Sequence, residues 1–217
     1  RWHTCSLCKQ EHHGVVRGAL GWACWKTYLG RPEMDEARWK AMNQLGRGLD
    51  AAKHHEDALS VQEAELAMTR RLGLAEQSIL VVQTNLAITY GKLGRHEQAL
   101  QLKRDVYYGN VKLYGEENES ALSAALNYSL AIFSLKRFED AKALLRKLLP
   151  MARRVLGESH DLTLRMRVNY AMALYVDTSA TLDDIREAVT TLEETSRTAR
   201  RVLGGTHPIV AGFERTL

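Results

Sequence analysis

Three soft or borderline metal ligands open the chain, Cys5, Cys8 and His13 in the stretch WHTCSLCKQEHHG. A Cys-x2-Cys turn followed closely by a histidine suits Zn2+, which gathers four such ligands into a tetrahedron. Cys24 supplies the fourth if residues 14–29 form a helix that folds back on the turn. A ligand upstream of the first residue is another way to complete the site, and an incomplete finger is a third reading. Cys5, Cys8, His13 and Cys24 are therefore the candidates for one structural zinc. A redox role for Cys5-Ser6-Leu7-Cys8 is poorly supported, because no βαβ pattern surrounds it. The pairs His12-His13 and His54-His55 point to different sides of a helix, so neither chelates one ion easily; one of His54 and His55 is expected to pack in a turn. No glycine-rich phosphate loop, Ser/His/Asp order or paired-carboxylate constellation occurs, so the chain is not expected to be an enzyme and no catalytic residue is assigned.

Composition narrows the class further. The 217 residues are 45% hydrophobic and 26% charged, an ordinary balance for a folded protein and unlike that of a disordered one. Only three prolines and three phenylalanines occur, and Ala, Leu, Glu, Gln, Lys and Arg dominate, which favours helices. The net charge of +4 invites a nucleic-acid reading, but residues 1–33 carry five Lys/Arg against two Asp/Glu and so hold most of it. Residues 34–217 hold 25 against 24, which makes nucleic acid a weak expectation for the long part of the chain. No run approaches the roughly 18 apolar residues of a membrane span, and no signal peptide is evident. The first residue is Arg, which reads as a piece of a longer chain. Three cysteines confined to the first 24 residues are no secreted disulfide framework, so a reducing, cytoplasmic location is expected.

The elements that would position these residues are announced by a repeat. ARRVLGESHD at 152–161 returns as ARRVLGGTHP at 199–208. Asn85, Asn127 and Asn169 recur at intervals of 42, and Gly73, Gly115, Gly157 and Gly204 at 42, 42 and 47, the last stretched by DTSATLDD. Each unit reads as two helices: Val82, Leu86, Tyr90 and Leu93 form one apolar stripe, and Ala99, Leu102, Val106 and Leu113 a second. Two short amphipathic helices cannot bury their apolar faces alone, so neighbouring pairs must stack. The expected fold is an all-α solenoid of antiparallel helix pairs at about 34–78, 79–119, 120–161 and 162–207, with a further helix starting at 208–217, behind a Cys/His segment over 1–33.

The duplicated ten letters then read as a joint rather than an active-site loop. Gly157 is placed to end one helix in the left-handed region, with Ser159 or Asp161 to cap the next; Thr206 and Pro208 repeat the arrangement. The Arg-Arg pairs at 70–71, 153–154 and 200–201 read as solvated helix ends that complement the helix dipole.

Leu45-Gly46, Leu86-Ala87 or Tyr170-Ala171, followed by Ala58, Ala99 or Ala188, resemble the tetratricopeptide repeat, and the 42-residue period is similar to that of kinesin light chain repeats. The resemblance covers residues 34–217, with Gln44 replacing Asn in the first copy. It implies a non-catalytic adaptor that binds an extended protein or peptide partner along a groove lined by the first helices. Lys40, Asn43, Gln44, Arg47, Asn85, Asn127, Leu130, Phe133, Arg165, Asn169, Met172 and Tyr175 fall on that face. A carboxamide both donates and accepts, so the column Gln44, Asn85, Asn127 and Asn169 suits a peptide backbone; the same residues suit holding neighbouring helices in register. Phe133, Met172 and Tyr175 suit packing equally. The groove is basic near the first repeat and apolar near the last, which fits an acidic peptide with an apolar anchor. Self-association through uncovered end faces, a nucleic-acid role for the basic first segment and a purely structural spacer are the alternatives. The first segment resembles the opening of a zinc knuckle, but Gly18 stands where that motif carries its fourth ligand. No cofactor is expected for the repeats.

Overall fold

The computed structural model describes residues 10–204. Among them are nine α-helices and no sheet: α1 (Gly14–Tyr28), α2 (Glu36–Ala51), α3 (His55–Arg71), α4 (Glu76–Lys92), α5 (His96–Tyr114), α6 (Glu119–Ser134), α7 (Phe138–Leu156), α8 (Asp161–Tyr175) and α9 (Leu182–Leu203). The chain divides into two compact units between Leu102 and Lys103, within α5. In each, consecutive helices pack as antiparallel pairs, the architecture that the period demands.

Local sequence sets where the helices begin. Asp35 Oδ1 accepts from the Ala37 N–H at 2.7 Å and Asn118 Oδ1 from the Ser120 N–H at 2.8 Å, capping α2 and α6. Thr181 and Asp184 form a reciprocal capping box that starts α9 after the enlarged loop. The 152–161 joint differs in detail from its sequence reading. Gly157 has positive φ as expected, but its ψ of 160° at φ 91° puts it outside the left-handed helical basin, in a region open to glycine alone. The cap of α8 is His160, neither Ser159 nor Asp161: its Nδ1 accepts from the Leu162 N–H at 3.3 Å. Thr206 and Pro208 lie outside the described residues.

In the first unit Leu45, Leu49 and Ala58 pack with Trp25 and Val61, while Leu59, Leu66, Val82 and Leu86 pack with Trp39, Ile79 and Leu102. The Cys/His segment contributes α1, which lies along α2 on a seam of glycines. A Cβ on Gly48 would stand 2.8 Å from the Arg17 carbonyl oxygen, and one on Gly21 would stand 2.9 Å from that of Gln44. Only glycine permits this approach. Arg17, Gly18, Gly21 and Cys24 form the buried face of α1. In the second unit the fully buried Leu122, Leu145, Leu148, Leu164, Met166 and Leu174 form the interior between helix pairs.

Ion pairs join successive repeats. Lys92 meets Asp50 at 2.6 Å, Arg71 meets Glu33 at 2.7 Å, and Lys147 meets Glu116 at 2.7 Å. Arg153 and Arg154 are exposed, yet both are engaged, with Glu158 and Glu117 respectively. His55 packs in its turn against Asp50 at 2.9 Å, whereas His54 is exposed. None of the described helices is long and apolar enough to cross a membrane.

Candidate functional site

Helical spacing sends residues of the first helix of each pair toward one face, and each unit has a hollow there. In the first unit, Arg17, Arg47, Asp50, Gln62, Asn85 and Lys92 are among the residues lining a hollow of about 260 Å3. Arg47 has its pKa lowered, first by burial and then by the neighbouring Arg17 charge. Arg17 itself is paired with Glu11 at 2.9 Å and Lys92 with Asp50, so the positive charge is only partly neutralised. In the second unit, α6 supplies Leu126 and Leu130 and α8 supplies Arg165, Val168, Asn169 and Met172 to a hollow of about 170 Å3.

The carboxamide column divides in its roles. Asn169 is 3% exposed, and its Nδ2 donates to Ser129 Oγ at 2.8 Å, which ties α8 to α6. Its Oδ1 has no partner. Asn85 is half-buried in the first hollow, and Asn127 is exposed. Gln44 is half-buried with its carbonyl oxygen beneath Gly21 of α1, and does not line the first hollow. Lys40 is exposed and paired with Glu36 at 2.6 Å. Phe133 packs edge-on against Phe138 with ring centroids 5.0 Å apart, which makes it a turn-packing residue; Tyr175 is exposed beyond the hollow. The column position fixes direction, and the neighbouring helices fix depth.

Of the nominated metal ligands, Cys5 and Cys8 lie outside the described residues. His13 precedes α1 and Cys24 lies eleven residues on, about 16 Å along the axis at 1.5 Å per residue, so the structure does not bring these two together. Cys24 is a free thiol, and burial raises its pKa. No cluster of three or more His, Cys, Asp or Glu with metal-binding placement occurs among the described residues.

Two features escaped the sequence reading. Asn43, expected on the open face, turns inward and donates from Nδ2 to Glu65 Oε1 at 3.0 Å. Glu65 is fully buried, and burial pushes its carboxyl up to about 7 against the opposing hydrogen bond from Asn43. Counted from the small residues Ala58, Ala99, Ala141 and Ala188, its column is filled in the other copies by Val106, Leu148 and Thr195. That break in an otherwise uncharged column is the signal that could have found it.

Comparison with protein families matches residues 79–119 and 122–161 to a tetratricopeptide repeat model. Comparison with curated proteins returns no significant match. Among solved structures, a putative kinesin light chain with nearly identical TPR-like repeats from Podosopora anserina is 21% identical, covers 86% of this chain and 85% of its own, and has a TM-score of 0.69. BtubC (BKLC) from P. vanneervenii is 16% identical over 92% of this chain and 78% of its own, with a TM-score of 0.74. The apo form of RapI is 13% identical over 93% and 74%, with a TM-score of 0.61. Such repeats are protein–protein interaction modules in general, and the likeness of the whole chain is one of fold. Residues 79–119 and 122–161 are thus two tetratricopeptide repeats, and the helix pairs of the chain share the fold of the kinesin light chain-like repeat structures.

Proposed function

We propose that the chain is a non-catalytic adaptor that holds an extended peptide of a partner protein on the faces lined by its first helices. The observation that carries this reading is the hollow between α6 and α8. Asn169, whose buried Oδ1 has no partner, lines it together with Leu130, Met172 and Arg165. An unpaired buried acceptor is costly to leave unmade, and a peptide N–H satisfies it. Apolar walls then receive a large side chain, and Arg165 draws acidic residues toward the rim. Arg47 and Lys92 give the first unit the same preference for negative charge.

The test is peptide selection. A display library of random extended peptides is panned against the wild-type chain and against Leu130→Glu, a change at a side chain 39% exposed and therefore compatible with folding. Peptides enriched in Asp, Glu and one large apolar residue, bound by wild type and lost from a Leu130→Glu variant of unchanged circular dichroism and melting, are the expected result. Equal capture by both proteins overturns the reading.

A further inference from the structure

The α2–α3 interface of the first unit holds two unsatisfied acceptors on one seam. Asn43 meets Glu65, and Gly46 faces Gln62, whose Cγ lies 3.0 Å from a Cβ built on that glycine. These are adjacent rungs of one antiparallel pair, and Gln62 and Glu65, three residues apart on α3, lie on the same helix face. Both are nine-tenths buried or more, at 2% and 0% exposed. Glu65 Oε1 is taken by Asn43, but Glu65 Oε2 and Gln62 Oε1 have no partner. Two acceptors on side chains one helical turn apart, both lacking a donor, are a poor arrangement for an ionised carboxylate and a good one for a carboxylic acid, whose proton can serve both.

No charged group takes the place of that proton. On α2, Arg38 donates to the Arg31 carbonyl at 2.6 Å, Lys40 pairs with Glu36, and Arg47 is coupled to Arg17 and Glu11. On α4, Tyr90 donates to Glu63 at 2.7 Å and Lys92 pairs with Asp50. At the start of α5, Arg95 pairs with Glu56 at 3.3 Å. Asn43 is the one group that favours the charged form of Glu65.

We propose that the folded chain carries Glu65 as a neutral acid whose Oε2–H is donated to Gln62 Oε1, so that the α2–α3 seam is closed at low pH and loosened when the proton leaves to water. Gln62 also lines the first hollow, so loss of the proton acts directly beneath that surface. The device is independent of what the hollow binds. Burial supports it, raising the carboxyl to about 7, where small changes of pH alter its charge. The folded form holds the proton through a range in which the unfolded chain has lost it. Stability of the first unit is therefore full below the ordinary glutamate range and falls as pH rises toward and through neutrality.

The test uses the whole chain with 13C-labelled glutamate side chains. One carboxyl resonance that titrates near neutrality and is absent from Glu65→Gln is the expected result. Glu65→Gln offers an amide N–H to Gln62 and a carbonyl to Asn43, and its unfolding midpoint, followed by tryptophan fluorescence, should be flat between pH 5 and pH 8. All four tryptophans lie at or before position 39, so this signal reports the first unit. Asn43→Leu removes the donor that favours ionisation and should move the titration upward. All glutamate carboxyls titrating in their ordinary range overturns the proposal, and this is read on wild type alone should a variant fail to fold. A Glu65→Gln profile that slopes as steeply as wild type overturns it too.

Discussion

The glycine seam between α1 and α2 can be opened by a single methyl group. In Gly48→Ala the new Cβ would sit 2.8 Å from the Arg17 carbonyl oxygen, where ordinary contact begins near 3.4 Å, so α1 must retreat by about half an ångström or more. Overpacking of this kind costs about 1–3 kcal/mol. Replacing a mid-helix glycine with alanine returns up to about 1 kcal/mol of helix propensity. The expected net loss for docking of α1 is about 1–2 kcal/mol, which raises the undocked population about 5- to 30-fold. Cys24 is a sensor for that population, being 3% exposed on the packed face of α1. In a background with Cys5→Ser and Cys8→Ser, its labelling by a thiol-specific disulfide reagent proceeds through the opened form and should accelerate in proportion. Raising pH accelerates both proteins alike, because the thiolate exposed in the opened form is the reactive species. A labelling rate unchanged in Gly48→Ala, with unchanged melting, would refute the close seam and the role assigned to its glycines.

Other perturbations have equally definite outcomes. Thr181→Ala removes the hydroxyl that accepts from the Asp184 N–H, leaving the backbone half of the capping box, and should cost about 1 kcal/mol in chemical unfolding of the second unit. Pro150 stands inside α7 and lacks the N–H of an interior helical residue, so Pro150→Ala should stabilise that unit by about 1–3 kcal/mol in the same measurement. Asn169→Ala withdraws the 2.8 Å hydrogen bond to Ser129 and should cost about 1–2 kcal/mol, whereas Asn127→Ala, at an exposed position of the same column, should change stability by less than about 0.5 kcal/mol.

The helix pairs were legible because apolar stripes and punctuating glycines recur in phase, and a period needs no knowledge of neighbours. Positions whose roles depend on a second helix were not. Asn169 and Asn127 share a column, yet one reaches Ser129 and the other faces solvent, a distinction made by α6 and α8 packing together. Asn43 lay on the face assigned to partner binding, but Glu65 on α3 draws it inward. His160 was passed over as a cap because Ser and Asp are the usual side chains for that task, while an imidazole nitrogen accepts the same N–H. The glycines at 18, 21 and 48 carried no periodic signal at all, and their purpose is visible only where two backbones meet.

The Lys92–Asp50 pair has a consequence for how such an array can diverge. These first two copies are 41 residues apart, as Gln44 is from Asn85, so Asp50 has Gly91 as its counterpart in the second copy and Lys92 has Ala51 as its counterpart in the first. Were the two copies identical, Asp50 would meet an alanine, or Lys92 a glycine, and the charge would stand without its partner. Their attraction depends on the copies having become different. Each copy thereby bears an address that its proper neighbour reads, and a chain that slipped by one unit, or exchanged a unit with another molecule, would meet the wrong one. Duplication supplied the units, and the charges acquired since then fix their order.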